Sequence, residues 1–156
     1  AQLDTVLRYI EIARNEGARL VCGGQRLTEG PLAKGYFVEP TIFTEVTEEM
    51  TIAREEIFGP VVGVIRCQNL NEVVELINTR GYANAACIYT SSGAAAREFK
   101  YKVKPSMIGV NIGIAAPMSF FPFGGAGLSM YGDTKGHGQE IFNFFTDTKV
   151  VIERWL

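Results

Sequence analysis

Apolar residues at Leu3, Val6, Leu7, Ile10 and Ala13 recur at three- and four-residue steps, and Gly17 follows them. That spacing predicts an amphipathic helix over roughly the first sixteen positions, stopped where a glycine can take the left-handed conformation that ends helices. A short strand is predicted over 18–22. Turn chemistry fills the stretch from Gly23-Gly24 to Gly35, after which Tyr36, Phe37 and Val38, and then 41–43, are expected to be extended. Pro40 cannot donate to a ladder, which argues for an edge position.

The middle of the chain is more regular. Residues 61–66 are apolar and β-branched, 73–77 have helical spacing behind Asn69 or Asn71 as cap, and 85–90 are extended again, which makes one βαβ unit. Ser91 or Ser92 can cap a second helix through 94–103, Pro105 ends it, and 107–111 supply a third apolar strand. The expected fold class is therefore α/β, with a parallel β-α-β-α-β sheet and right-handed crossovers. Ligands on such sheets gather beyond the carboxyl ends of the strands, where Asn111 and its following loop are expected. Residues 112–138 are rich in Gly, Pro and aromatics, a composition that suits a binding loop more than a linker. The tail, 142–155, is dense in Phe, Val and Ile and is expected to end as a strand in need of a partner. No internal repeat is visible.

Composition narrows the function classes. A chain of 156 residues with 47% hydrophobic content can bury one core, and its length predicts one domain. Charges nearly balance, with 15 Lys and Arg against 17 Asp and Glu, and no charged block appears, so nucleic acid is not an expected partner. No apolar stretch reaches the roughly 18 residues a membrane span requires, so no membrane role is expected. The chain opens at Ala1 inside a helical pattern without an initiator Met, which reads as a cut in a longer protein. Cys22, Cys67 and Cys87 are odd in number, widely spaced and free of any CxxC pair, so neither a disulfide framework nor a metal site is expected. A reducing, cytoplasmic setting fits best.

Few residues carry chemistry by themselves. The single His, at 137, stands between Gly136 and Gly138 and reads as structural or solvated. The three cysteines lie in or beside apolar strand patterns, where free Cys behaves as a small hydrophobe. The Gly-rich stretch Phe123-Gly124-Gly125-Ala126-Gly127 lacks both the Walker Lys and the GxGxxG spacing, and reads as a turn. More informative is Glu55-Glu56-Ile57-Phe58-Gly59-Pro60, two carboxylates and an aromatic just ahead of the 61–66 strand. On composition it is a solvated loop with a buried Phe.

EEIFGPV at 55–61, the strand ending Gly109-Val110-Asn111 and PFGG at 122–125 resemble, in order and approximate spacing, the last third of aldehyde dehydrogenases. The resemblance covers essentially the whole chain. It extends to the opening helix with its Gly17-Ala18 exit, to Gly35-Tyr36-Phe37-Val38-Glu39-Pro40-Thr41, and to the closing Phe145-Thr146-Asp147-Thr148-Lys149-Val150-Val151. Each motif alone is moderately specific; their order makes the match strong.

The resemblance implies the carboxy-terminal part of the catalytic domain over 1–141 and an oligomerisation tail over 142–156, whose strand joins a neighbouring subunit of a homo-oligomer. It implies that Glu56 hydrogen-bonds the nicotinamide ribose hydroxyls of NAD. Phe58 is expected to pack near the nicotinamide ring and place it. The loop 112–123 matches the wall of the substrate tunnel, with Phe123 lining it beside an aldehyde.

Where many members carry Ser-Gly-x-Gly-Arg-Glu, this chain reads Ser129-Met130-Tyr131-Gly132-Asp133-Thr134. That form, with the tail from Thr148 to Trp155, resembles the methylmalonate-semialdehyde branch, whose members are NAD-dependent oxidoreductases that pass an acyl group to CoA. The segment 82–86 and the loop 112–121 depart from the usual pattern. The family's nucleophilic Cys, its Gly-rich dinucleotide segment and its oxyanion Asn lie upstream of where this chain opens. No catalytic residue is therefore expected here, and the isolated chain is expected to be inactive. The alternative is a stand-alone binding or assembly module with the same fold. A cysteine hydrolase is disfavoured, because His137 sits in a far segment with no triad partner.

Overall fold

The structure, a computed structural model, describes residues 1–156. The chain divides into two compact units, Ala1–Gln68 and Asn69–Leu156, where length had predicted one domain. The reason is visible in the burial: one apolar cluster gathers around Ile10 and Phe43, a separate one around Phe99.

The amino-terminal unit opens with α1 (Gln2–Asn15), which turns Val6, Tyr9, Ile10 and Ala13 inward as the spacing predicts. Gly17, at φ +94°, ends it in the left-handed region. The unit continues through β1 (Arg19–Cys22), β2 (Thr41–Thr44), the short α2 (Thr51–Arg54) and β3 (Val61–Gly63). β1 runs antiparallel to β2, and β2 parallel to β3, so β2 is the central strand. Pro40 therefore does not mark an edge. It stands one residue ahead of the ladder, where its missing N–H removes nothing, and the strand starts with the Thr41 N–H donating to the Pro60 carbonyl at 2.8 Å. Nor do 36–38 form a strand; only Val38 pairs, in an isolated bridge to Arg26.

Phe43 is fully buried against Val6, Ile10, Ala13 and Ala18. Burial of a side chain of that size contributes about 1.5–3 kcal/mol. Buried Thr41 is satisfied, its Oγ1 donating to the Glu39 carbonyl at 2.7 Å and accepting from the Gly24 N–H at 2.8 Å. Glu16, just past the end of α1, accepts from the Thr51 N–H at 2.8 Å and so caps α2.

In the carboxy-terminal unit the order is α3 (Leu70–Thr79), β4 (Tyr82–Ala83), β5 (Ala85–Ile88), α4 (Gly93–Lys102), β6 (Met107–Val110), β7 (Ala126–Gly127) and α5 (Glu140–Phe145). Asn69 is the cap of α3, accepting from the Glu72 N–H at 3.0 Å. Ser92 caps α4 by accepting from the Ala95 N–H. The side-chain amide of Asn78 ties the two helix exits together, donating to the Lys102 carbonyl and accepting from the Lys104 N–H. Val74, Phe99 and Val103 are buried, with Ala86, Ile88 and Ile108 of the strands packed on them.

The parallel crossover β5-α4-β6 forms as expected, with Ala85 opposite Met107 and Ile88 opposite Val110. The expected continuous β-α-β-α-β sheet does not, because β3 takes β2 as its partner and no ladder joins it to β5. β4 pairs instead with β7 in an antiparallel ribbon. The tail also departs from expectation. Residues Glu140–Phe145 are helical, and 146–156 form neither helix nor ladder. An isolated tail can satisfy its backbone within one helical turn, whereas a strand needs a neighbour. No helix is long and apolar enough to cross a membrane.

Candidate functional site

Residues 55–60 connect α2 to β3 without regular structure. Three of them are tied to the amino-terminal core or to α1. The Glu55 carboxylate accepts the Tyr9 hydroxyl at 2.5 Å, Ile57 packs on the amino-terminal core, and Gly59 lies so close to α1 that an added Cβ would meet Val6 Cγ2 at 2.5 Å. Two point outward: Glu56 is exposed, with no hydrogen bond or ion pair to its carboxylate, and the Phe58 ring is 81% exposed. The buried Phe expected from composition is thus corrected. Ile57 takes the inward place, packed against the amino-terminal core, while Phe58 turns its ring to the surface.

Phe58 has φ +55°, a region that bulky side chains rarely enter. The side-chain amide of Gln2, in α1, donates to the carbonyls of both Ile57 and Phe58 at 3.0 Å. Tyr9 meets the loop entrance through a side chain, its hydroxyl donating to the Glu55 carboxylate. Its phenol is held above the ordinary value of 10.0, first by the hydrogen bond to the Glu55 carboxylate, then by burial and by the carboxylate's charge; Arg8, whose guanidinium lies 4.8 Å from the ring centre, opposes the shift. Beside Phe58 a pocket of about 320 Å³ opens between Gln2, Val6, Phe37 and Gly59. The loop holds no Ser, Thr, Cys, Lys or His; its ionisable groups are the two carboxylates.

Phe123 belongs to the carboxy-terminal unit and is 40% exposed. Its backbone bridges Gly136 in both directions, at 2.6 and 2.8 Å, and its ring lies 5.4 Å from that of His137. His137 therefore has a ring neighbour, and its φ of +69° places it in the left-handed region. Two pockets border the long loop. One, of about 270 Å³, lies along Ser106, Met107 and Ile108 beneath Ile112 and Pro117. The other, of about 590 Å³, lies between Phe120, His137, Ile141 and Phe142. Phe123 lines neither.

The stretch 123–127 is more than a turn. Ser106 Oγ donates to the Gly124 carbonyl and Lys135 Nζ to that of Gly125, while Ala126 and Gly127 form β7. Asn111 sits at the strand end as expected, yet its side chain is occupied: Oδ1 accepts the Thr90 N–H at 2.8 Å and Nδ2 donates to the Thr90 carbonyl at 3.0 Å. It lengthens the β5–β6 pairing. Cys22 is exposed, contrary to its reading as a small hydrophobe, with only a long contact of 3.8 Å to the Pro40 carbonyl. Nowhere do three His, Cys, Asp or Glu side chains converge as a metal site would need. The anchors Gln2 and Tyr9 have no local signature; both act on residues 46 to 56 positions away.

Comparison with known proteins bears on this arrangement. The model of the aldehyde dehydrogenase family matches residues 1–151. The malonate-semialdehyde dehydrogenase of Bacillus subtilis (strain 168) is 47% identical over 149 residues, which make up 96% of this chain and 30% of that protein. The crystal structure of a methylmalonate-semialdehyde dehydrogenase from Oceanimonas doudoroffii matches with TM-score 0.94 at 36% identity, over 99% of this chain and 32% of that one. A Sinorhizobium meliloti 1021 structure assigned the same activity and complexed with NAD matches with TM-score 0.95 at 35% identity, over the same shares. The chain spans about 30% of the length of the relatives it matches. Since the family match runs through the loop 55–60, the parallel crossover and the Gly-rich stretch alike, the chain belongs to the aldehyde dehydrogenase family.

Proposed function

We propose that this chain is the carboxy-terminal, cofactor-positioning portion of an NAD-dependent semialdehyde dehydrogenase whose nucleophilic cysteine and dinucleotide fold lie in residues ahead of Ala1. The observation that carries the reading is the anchoring of Glu55, Ile57 and Gly59, which leaves the Glu56 carboxylate and the Phe58 ring exposed in the same loop. NAD, when bound, supplies the hydride acceptor. Glu56 holds it by accepting hydrogen bonds from the nicotinamide ribose hydroxyls. Phe58 narrows the places the nicotinamide ring can occupy, and hydride transfer depends on that placement.

Phe123 and the loop 112–123 border the path of the aldehyde. A semialdehyde substrate is supported by the names of the relatives, and acyl transfer to CoA by the likeness of Gly132-Asp133-Thr134 to the methylmalonate-semialdehyde branch. The tail 142–156 serves assembly of a homo-oligomer, a role supported by exposed Val150, Ile152 and Trp155 on a segment that pairs with nothing in its own chain. The purified 156-residue chain is expected to form no NADH from malonate or methylmalonate semialdehyde, because the resemblance places the family's nucleophilic cysteine on none of Cys22, Cys67 and Cys87. A robust rate from contaminant-free protein overturns the assignment.

A further inference from the structure

We infer that Gln2 is a positioning residue: its side-chain amide holds Phe58 in the left-handed, outward conformation on which the proposed role of Glu56 and Phe58 toward nicotinamide rests. The Ile57 carbonyl lies in the peptide plane before the Phe58 Cα, and the Phe58 carbonyl in the plane after it. A single nitrogen donating to both, at 3.0 Å each, fixes the two planes against each other and so fixes both backbone dihedrals of Phe58. The amide has two hydrogens to give, and each has an acceptor.

Something must do this, because a left-handed aromatic residue persists only where its surroundings over-determine it. The other anchors do not reach it. Tyr9 holds Glu55 at the loop entrance, Ile57 is held through its side chain, and Val6 meets Gly59 at the exit. The ring of Phe58 is itself bare, so packing cannot set its orientation. Gln2 is also exposed, so its value lies in geometry more than in stability.

Gln2→Glu separates a positioning role from a structural one. It keeps the length and shape of the side chain but exchanges the donating nitrogen for an acceptor facing two carbonyls. In the first turn of α1 an acidic residue is favoured by the helix dipole, so a role confined to the helix predicts unchanged or improved stability. The positioning role predicts release of the loop. Gln2→Met, uncharged and of similar length, tests the same loss without the added charge.

Amide relaxation on the full 156-residue chain is expected to give order parameters of about 0.85 at residues 57–59 in the parent and below about 0.6 in both variants, with Ile10 and Phe43 unchanged. Titration with nicotinamide mononucleotide is expected to shift the Glu56 and Phe58 amides, with about tenfold weaker binding in both variants. Order at 57–59 that survives in both variants overturns the inference about Gln2. Released loops, together with a parent chain whose Glu56 and Phe58 amides ignore nicotinamide mononucleotide, overturn the cofactor reading instead.

Discussion

Residues 55–60 and 122–127 each combine Phe, Gly and Pro or Ala, and the chain holds them by opposite means. In the first, helix α1 grips alternate residues through Tyr9, the core around Ile57 and the gap at Gly59, and the intervening side chains are presented outward. In the second, the backbone itself is gripped. The carbonyls of Gly124 and Gly125 accept from Ser106 and Lys135, the Phe123 backbone bridges Gly136, and β7 pairs with β4. The difference teaches that a Gly-rich segment is not in itself a ligand cradle: here the loop with free side-chain chemistry is the one with fewer glycines, and the richer one has committed its polar atoms to the fold.

The glycines should feel this difference most. In Gly125→Ala the new Cβ would stand 2.6 Å from Ser129 Cβ and 2.8 Å from the Ser129 carbonyl oxygen, which is backbone and cannot swing away. A loss of about 1–3 kcal/mol is expected from urea unfolding. Gly59→Ala meets only a side chain, Val6, and should sit at the low end, about 1 kcal/mol; equal losses would erase the contrast between a backbone grip and a side-chain grip.

Tyr9→Phe should cost less than Gly125→Ala, and its effect should depend on pH. The phenol is raised above 10.0 in the folded chain by the Glu55 hydrogen bond, so its stabilisation is complete below the unfolded value of about 10 and is lost as pH rises through the raised folded value. The gap in unfolding midpoint between the parent and Tyr9→Phe is therefore expected to be constant from about pH 7 to 9 and to close above about pH 10. A gap unaffected by that rise would mean that Glu55 is not the partner that matters.

Phe58→Ala is expected to change stability least, within about 0.5 kcal/mol, as for an exposed side chain without special contacts. The same change should weaken the response of the Glu56 amide to nicotinamide mononucleotide. A large loss of stability would show that Phe58 is structural after all and that the two loops are held alike.

Elements whose cause is local were legible along the chain. The apolar period of α1, the stop at Gly17 and the caps Asn69 and Ser92 depend on residues within a turn of one another, and the structure has them. The strand patterns at 19–22, 41–44, 85–88 and 107–110 were legible for the same reason, since alternation and β-branching are properties of the segment itself. The family motifs were readable too, and the family match over residues 1–151 agrees with them.

Pairing and facing were decided only by the tertiary structure. Nothing near Val61 says that its partner is Thr41 and that no ladder links it to β5; ladder hydrogen bonds are backbone groups that every strand offers alike. Nothing near Phe58 says that it faces out while Ile57 faces in, because both are apolar and their contacts are remote: Ile57 packs on the core of α1 and β2, and the Phe58 carbonyl accepts from Gln2, 56 residues away. By itself the sequence determined the three longer helices, the strand-forming segments and the residue types present at 55–60, though neither α2 nor the helical turn of α5. Which strands met, and which side chains of that loop were left exposed, followed from long-range contacts that local composition does not encode.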